Sequence, residues 1–558
     1  MDTYRPPIER MLRALSVAGI GDVLSMPKYA GIDIDAVRDV LEGFGRLAAD
    51  VIAPTDRIGD VEGAVLDATG SVHVPEAFHT AFAEYVKGGW TNLEGFPGAV
   101  SAATQEMFNS ANMALALNPI LTQSAIELLR HSGDERQQRI YLSRLVDGTW
   151  TGTMNLTEPD AGSDVGAVRA TAEPLEDGRW AISGTKIYIT WGEHDLTENI
   201  VHLVLARAPG GGPGTRGLSL FLVPKVLVDD HAMLIEPNQV ECLSIEHKMG
   251  IKASPTCVLQ FDGAIGELVG PVHGGMAGMF LMMNAARLSV GLQGVAVTER
   301  AYQQAFAFAH DRVQGGVPII EHPDVRRMLL SIATVIDAAR LLVCATAVAA
   351  DISANHPDQD VRDRARRRVD LFTPLAKAWP TDQGVLAAST ALQVFGGMGF
   401  VEETGIAQRY RDIRIAPIYE GTNGIQAIDL VGRKVARDGG FAMGELLAEV
   451  DGTLAAAGAV PALSAAVESL GRAADSLRQA TQWVVANPGS ADVLAGATAY
   501  LALAASVAAG ELMVRHALVG DDVDIARTTV FAAEHLDRVA PLATIQVGAD
   551  LLAAGLGI

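Results

Sequence analysis

The sequence predicts a mainly α-helical protein with one central β domain. Three changes of texture along the 558 residues carry that expectation. Residues 1–150 repeat apolar side chains at helical spacing. From Thr151 short β-prone runs are punctuated by Gly and Asp. Helical spacing returns at Gly274 and persists.

The elements follow in order. Asp33 caps a predicted helix in which Val37, Val40, Leu41, Phe44, Leu47 and Val51 recur, ending before Pro54. A second helical run covers Gln105 to Leu129, and Gly133-Asp134-Glu135 starts another. The β-prone runs are Trp180 to Ser183, Lys186 to Thr190, Ile200 to Arg207, Leu218 to Val223 and Cys257 to Phe261. Asp177-Gly178 and Pro209 to Gly214 supply turns between them. Met279, Met282, Met283 and Ala286 open the next helix, and Gly439-Gly440 marks a break before an Ala-rich helical segment. The expected domains are 1–150, 151–272, 273–440 and 441–558.

Composition narrows the function classes. Apolar residues make up 49%, enough for large cores. The 43 basic and 66 acidic residues give a net charge of −23, a surface that repels nucleic acid and anionic membrane. Cys242, Cys257 and Cys344 form no disulfide framework or zinc pattern, and the 13 His show no ligand spacing, so no metal is expected. A reducing, cytoplasmic setting fits, and Met1 to Pro7 carries no apolar signal core. Val493 to Gly510 is uncharged for 18 residues, but eight are Ala; a buried bundle helix is expected, with no integral membrane association.

One carboxylate, Glu420, interrupts the otherwise uncharged stretch Ile415 to Gln426. A Glu among apolar neighbours is poorly solvated, so its pKa rises toward the range a general base needs. Alone, the stretch also reads as a helix-entry Glu before a Gly-Thr turn. About 20 residues upstream stands Gln393-Val394-Phe395-Gly396-Gly397-Met398-Gly399-Phe400, and farther upstream Asn155-Leu156-Thr157-Glu158-Pro159-Asp160-Ala161-Gly162-Ser163-Asp164-Val165-Gly166-Ala167.

These two segments resemble the two signatures of the acyl-CoA dehydrogenase family, in that family's order, and the resemblance extends to about residue 440. The added C-terminal segment is similar to that of its larger bacterial members, the 3-methylmercaptopropionyl-CoA dehydrogenases and broad-range actinobacterial enzymes among them. The resemblance implies an N-terminal helical domain, a middle β-barrel-like domain, a C-terminal four-helix bundle and an additional helical domain. It implies FAD as cofactor, an acyl-CoA thioester as substrate, and α,β-dehydrogenation to a trans-2-enoyl-CoA with Glu420 as base. Electron-transferring flavoprotein is the implied acceptor. An acyl-CoA oxidase, or a non-catalytic partner subunit, remains an alternative.

By the same resemblance, the Met154, Leu156 and Thr157 strand and the Tyr188, Ile189 and Thr190 strand contact the flavin, with Thr190 near N5. Tyr188 stands where many relatives have Trp. Ser163 approaches both FAD and the substrate. Arg312, Gln393, Gly396 and Gly397 match residues that reach a neighbouring subunit's FAD, so a homodimer or a heteromer with a sister chain is expected. Thr422 matches a further FAD contact. Asn284, Arg287, Tyr419 and Gly421 correspond to substrate-contacting positions; Asn284 replaces a common Asp, and Arg287 also reads as a solvated or salt-bridged helix residue. Asn155 and Gln408 depart from the signatures, and Arg409 lies beside Gln408 as a substitute for the usual basic residue.

Overall fold

A computed structural model describes residues 3–539 and 542–557. The first two residues, 540–541 and the last, which fall within the outermost expected domains, lie outside the described residues. The chain forms two compact units. One holds the segment up to Gly45, Gly95–Ser110 and everything from Arg287; the other holds Arg46–Glu94 and Ala111–Ala286.

The second unit is built on a seven-stranded sheet. Strands Thr256–Val269, Trp180–Thr190, Thr171–Pro174, Asn199–Arg207 and Leu218–Pro224 pair in that order, and the last pairs back to the first, closing a barrel. Trp150–Asn155 adds in parallel to Asn199–Arg207, and Val240–Ile245 adds antiparallel to Thr256–Val269. Asn199–Arg207 and Leu218–Pro224 are buried at nearly every position because both faces are covered, and Val201, Leu203, Phe221 and Phe261 fill the core. The two runs expected at Trp180 to Ser183 and Lys186 to Thr190 are one strand, continuous through Gly184, whose φ of 146° and close approach to Ala170 exclude a side chain.

The first unit is helical. Helices Pro323–Asn355 and Gln359–Phe395 pack on each other, and Gly291 and Gly294 of helix Gly275–Asp311 meet the second of them. A Cβ on Gly291 would lie 2.1 Å from the Ala376 carbonyl oxygen, and one on Gly294 would lie 2.5 Å from that of Pro380. Pro380 has no N–H, so the Ala376 carbonyl loses its intrahelical donor and is left facing Gly291. Two glycines on one face and a proline opposite therefore set the close contact beneath the Glu420 turn. Beyond Gly439 and Gly440, at φ 68° and 81°, helices Phe441–Ala457, Ser464–Ala486, Ala491–Val519 and Asp522–Phe531 form the C-terminal assembly.

Three expected boundaries move. The Asp33-capped helix does form, with Ala36 N donating to Asp33 Oδ1 at 2.9 Å, but it does not stop at Pro54. Ile34–Leu47 runs into a π-helical turn, Ala48–Ile52, and then Ala53–Glu62. The ladder restarts at Ala53, so Pro54 occupies a first-turn position where its missing N–H costs nothing. The Gln105 to Leu129 run is two helices, Gly98–Ala111 and Met113–Ser132. Asn112 breaks it by turning extended and accepting from Leu115 N at 3.0 Å. Strand Trp150–Asn155 ends before Leu156 and Thr157, which lie on the connection after it.

Among the described residues, three helices are long and apolar enough to cross a membrane: Gly275–Asp311, Pro323–Asn355 and Ala491–Val519. Their apolar windows are 67%, 89% and 72% buried inside the fold.

Candidate active site

The signature around Glu158 folds as a tight turn in which Glu158 and Ala161 exchange two backbone hydrogen bonds of 3.0 Å. The buried Glu158 carboxylate accepts from Arg169 N at 2.6 Å, Ala170 N at 3.0 Å and Lys186 Nζ at 2.8 Å. Lys186 is fully buried and also donates to the Leu156 carbonyl at 3.0 Å; burial lowers its pKa to about 8, against the pull of Glu158. Sequence reasoning passed over Lys186, yet it ties the Leu156–Thr157 connection to the Trp180–Thr190 strand. Ile187 N completes the tie by donating to the Thr157 carbonyl at 2.9 Å.

Thr157 and Thr190 therefore lie on two chain segments that are tied to each other, the connection after Trp150–Asn155 and the strand Trp180–Thr190. Both are half-buried, and neither hydroxyl has a protein partner among the described residues. Tyr188 is exposed at φ 57°, on a strand whose neighbour Ile189 is buried. Met154 is buried in the barrel core. Ser163 and Gly162 are exposed, and a Cβ on Gly162 would meet nothing within 4 Å. Asn155 is fully buried, donates to Thr153 Oγ1 at 2.9 Å and leaves its own Oδ1 without a partner. Asn284 lies on helix Gly275–Asp311.

In the helical unit, Glu420 takes a left-handed conformation at φ 53° and Gly421 follows at φ 80°. A Cβ on Gly421 would lie 2.9 Å from Gln426 Nε2, which itself donates to the Glu420 and Gly421 carbonyls at 3.4 and 3.3 Å. Thr422 caps helix Asn423–Asp429 by accepting from Ile425 N at 3.2 Å. The Tyr419 hydroxyl donates to the buried Gln293 Oε1. Burial raises the Glu420 pKa above the ordinary carboxylate range, while the Arg287 guanidinium and then the Lys377 ammonium draw it back. Arg287 is 8% exposed, which removes its alternative as a solvated helix residue. The structure thus groups Arg287, Tyr419, Glu420 and Gly421.

A second group forms at the ends of two helices of this unit. Arg312 is exposed directly after helix Gly275–Asp311, and Gln393, Gly396 and Gly397 are exposed at the end of Gln359–Phe395. Phe308 and Phe395 stack with centroids 4.1 Å apart, which brings these two ends together. The Arg312 guanidinium has no ion-pair partner among the described residues. Gly396 sits at φ 58°, and a Cβ on it or on Gly397 would meet nothing within 4 Å. Gln408 and Arg409 are buried nearby in sequence, with Arg409 Nε donating to Gln304 at 3.2 Å.

The chain matches the family descriptions "Acyl-CoA dehydrogenase, middle domain" over residues 153–264 and "Acyl-CoA dehydrogenase, C-terminal domain" over 273–435. It also matches "Acetyl-CoA dehydrogenase C-terminal like" over 446–536. It is 47% identical over 478 residues to the 3-methylmercaptopropionyl-CoA dehydrogenase of Ruegeria pomeroyi, covering 82% of this chain and 81% of that one. The chain belongs to the acyl-CoA dehydrogenase family.

This family member is also 37% identical over 479 residues to the broad-specificity linear acyl-CoA dehydrogenase FadE5 of Mycobacterium tuberculosis, with 81% and 78% coverage. Its fold is that of Caenorhabditis elegans ACDH-11, solved with C11-CoA, at a TM-score of 0.83 and 22% identity over 97% of this chain and 92% of that one. A Bacillus anthracis acyl-CoA dehydrogenase complexed with FAD superposes at a TM-score of 0.76 with 20% identity over 96% and 92%. The similarity to these two extends into the added C-terminal helices, as the sequence-based fold class expected.

Proposed function

We propose that this protein is an FAD-dependent acyl-CoA dehydrogenase that converts a saturated acyl-CoA to the trans-2-enoyl-CoA. The observation that carries it is Glu420: a carboxylate in a left-handed turn, raised in pKa by burial and flanked by Arg287 and Lys377. Glu420 takes the α-proton of the thioester. FAD, when bound, accepts the β-hydride. A raised pKa makes the carboxylate a stronger base, and the two cations keep enough of it ionised to act.

The half-buried Thr157 and Thr190 hydroxyls, without protein partners among the described residues, suit the polar edge of a flavin, and the exposed Tyr188 suits a ring face. Met154, Leu156 and Ile189 supply apolar surface, and Ser163 and Thr422 further polar contacts. The Glu420 backbone N–H polarises the thioester carbonyl. Arg287, Asn284, Tyr419 and Gly421 hold the CoA ester. Arg312, Gln393, Gly396 and Gly397 offer a guanidinium unpaired among the described residues and unobstructed backbone to the FAD diphosphate of a second copy or sister chain. We keep four domains, 1–150, 151–272, 273–440 and 441–558, a cytoplasmic setting without membrane insertion, and electron-transferring flavoprotein as acceptor.

The test is an anaerobic titration of the purified protein with straight-chain, branched and thioether-bearing saturated acyl-CoAs. Bleaching of the flavin absorbance by at least one of them is expected, and its absence across the panel would contradict the activity. Adding electron-transferring flavoprotein or oxygen to the reduced protein then separates a dehydrogenase from an oxidase.

A further inference from the structure

Lys377 lies inside helix Gln359–Phe395 and its side chain is fully buried. Its Nζ donates to Asn423 Oδ1 at 2.8 Å, a residue 46 positions later in sequence. Asn423 directly follows the turn that carries Glu420. Its amide nitrogen is placed against the Ala378 carbonyl at 3.2 Å, Thr381 Oγ1 at 3.0 Å and Asp382 Oδ1 at 2.7 Å, and its backbone N–H donates to the Pro417 carbonyl at 3.0 Å. Asn423 thus clamps both ends of the Glu420 turn to the helix bearing Lys377.

An ammonium buried in this way needs a compensating anion. Asn423 offers only a neutral oxygen, and Lys377 makes no ion pair at contact distance among the described residues. The anions that act on it are Glu420 first and Asp382 second.

We propose that Lys377 is a positioning residue for Glu420: through Asn423 it fixes the turn that carries the carboxylate, and its ammonium, after the Arg287 guanidinium, favours the ionised form of that carboxylate. This rests on Glu420 being the base. Burial brings the Lys377 pKa down to about 7, so the ammonium exchanges its proton in the working range. When Glu420 takes the substrate proton, the first of the two anions favouring the ammonium disappears, and Lys377 gives up its own proton more readily. The other charges in the cluster are Arg287 from helix Gly275–Asp311, Asp382 on the Lys377 helix, Arg414 acting on Asp382, and Asp429 and Arg433 acting on Arg287. The Tyr419 phenol stays protonated, raised by burial and by Glu420.

The test follows the Glu420 carboxylic-acid C=O band by infrared difference spectroscopy across pH, the band being the one absent from Glu420→Gln. In Lys377→Met one of the two cations that favour the carboxylate is gone, so this titration moves up by about one pH unit, the low end of a charge-pair effect. The acid limb of the flavin-bleaching rate, measured with the fastest acyl-CoA of the panel, moves up with it. Lys377→Arg keeps the charge and restores both positions. An unshifted band in a folded Lys377→Met protein overturns the proposal, as does a band in Lys377→Arg that stays at the Lys377→Met position. If instead Glu420→Gln bleaches at the unmutated rate, the base assignment fails, and that outcome is distinct from the other two.

Discussion

At the scale of the residue, Glu420 works against its own solvation. Desolvation raises its pKa, so the carboxylate is fully available only above the usual range. The bleaching rate should therefore fall as pH is lowered through this raised value; a rate that stays flat down to the ordinary Glu range would contradict the account. The linked stability has the opposite sign. A carboxyl whose folded pKa lies above its unfolded one contributes stability below the unfolded value and loses it as pH rises through the folded one. Gly421 permits the turn. Gly421→Ala places a Cβ at φ 80° and 2.9 Å from Gln426 Nε2, so it should cost about 1–3 kcal/mol and slow bleaching more than it weakens FAD retention. Thermal melts and rapid mixing check both. Glu420 drew attention by standing alone among uncharged neighbours, but only the two family signatures favoured a base over a helix-entry Glu. Lys377 was not legible: it sits in an apolar helical run with no local motif, and only the fold brings it to Asn423.

At the scale of the element, the close approach at Gly291 and Gly294 sets where the Lys377 helix lies. Gly291→Ala would drive a methyl into the Ala376 carbonyl, now 2.1 Å from the Cβ position. Backbone cannot yield as a side chain does, so destabilisation of about 1–3 kcal/mol or more is expected, read as a lower Tm. A Tm unchanged would mean that the helices do not meet there. Helical spacing revealed these helices, because a bundle helix buries a periodic stripe. It did not reveal their interruptions. Asn112 ends a helix by capping the next, and the π-helical turn before Pro54 lets a proline continue a helical path. Both depend on one side chain or one displaced hydrogen bond, which a periodic pattern averages away. The barrel was implied by the family resemblance alone; the strand runs did not give its pairing order, since partners lie far apart in sequence and register is set only on folding.

At the scale of the whole molecule, the C-terminal helices are bound to the helical unit by charge. Arg10 reaches Asp524 at 2.6 Å and Asp337 at 3.4 Å, Arg13 pairs with Asp524, and Arg527 pairs with Asp337 at 2.5 Å. Deeper, Arg340 bridges Glu106 at 2.6 Å and Glu299 at 2.8 Å, all buried. Arg340→Met would leave two carboxylates uncompensated and should cost about 3–5 kcal/mol, measured by denaturant unfolding. The sequence showed an added helical segment, but not this network, whose members span the chain from residue 10 to 527. Arg312→Ala should release FAD more readily, by about 1.5–3 kcal/mol for a charge-assisted phosphate contact, without lowering Tm of the apoprotein. Unchanged FAD retention would remove Arg312 from the site. The central claim is that the assembled protein oxidises an acyl-CoA by proton removal at Glu420. Anaerobic rapid mixing of Glu420→Gln with the best acyl-CoA of the panel tests it most directly. The account predicts a folded, FAD-loaded protein that binds the enoyl-CoA product and bleaches at least about 10³-fold more slowly than the unmutated protein. Bleaching at the unmutated rate would contradict it.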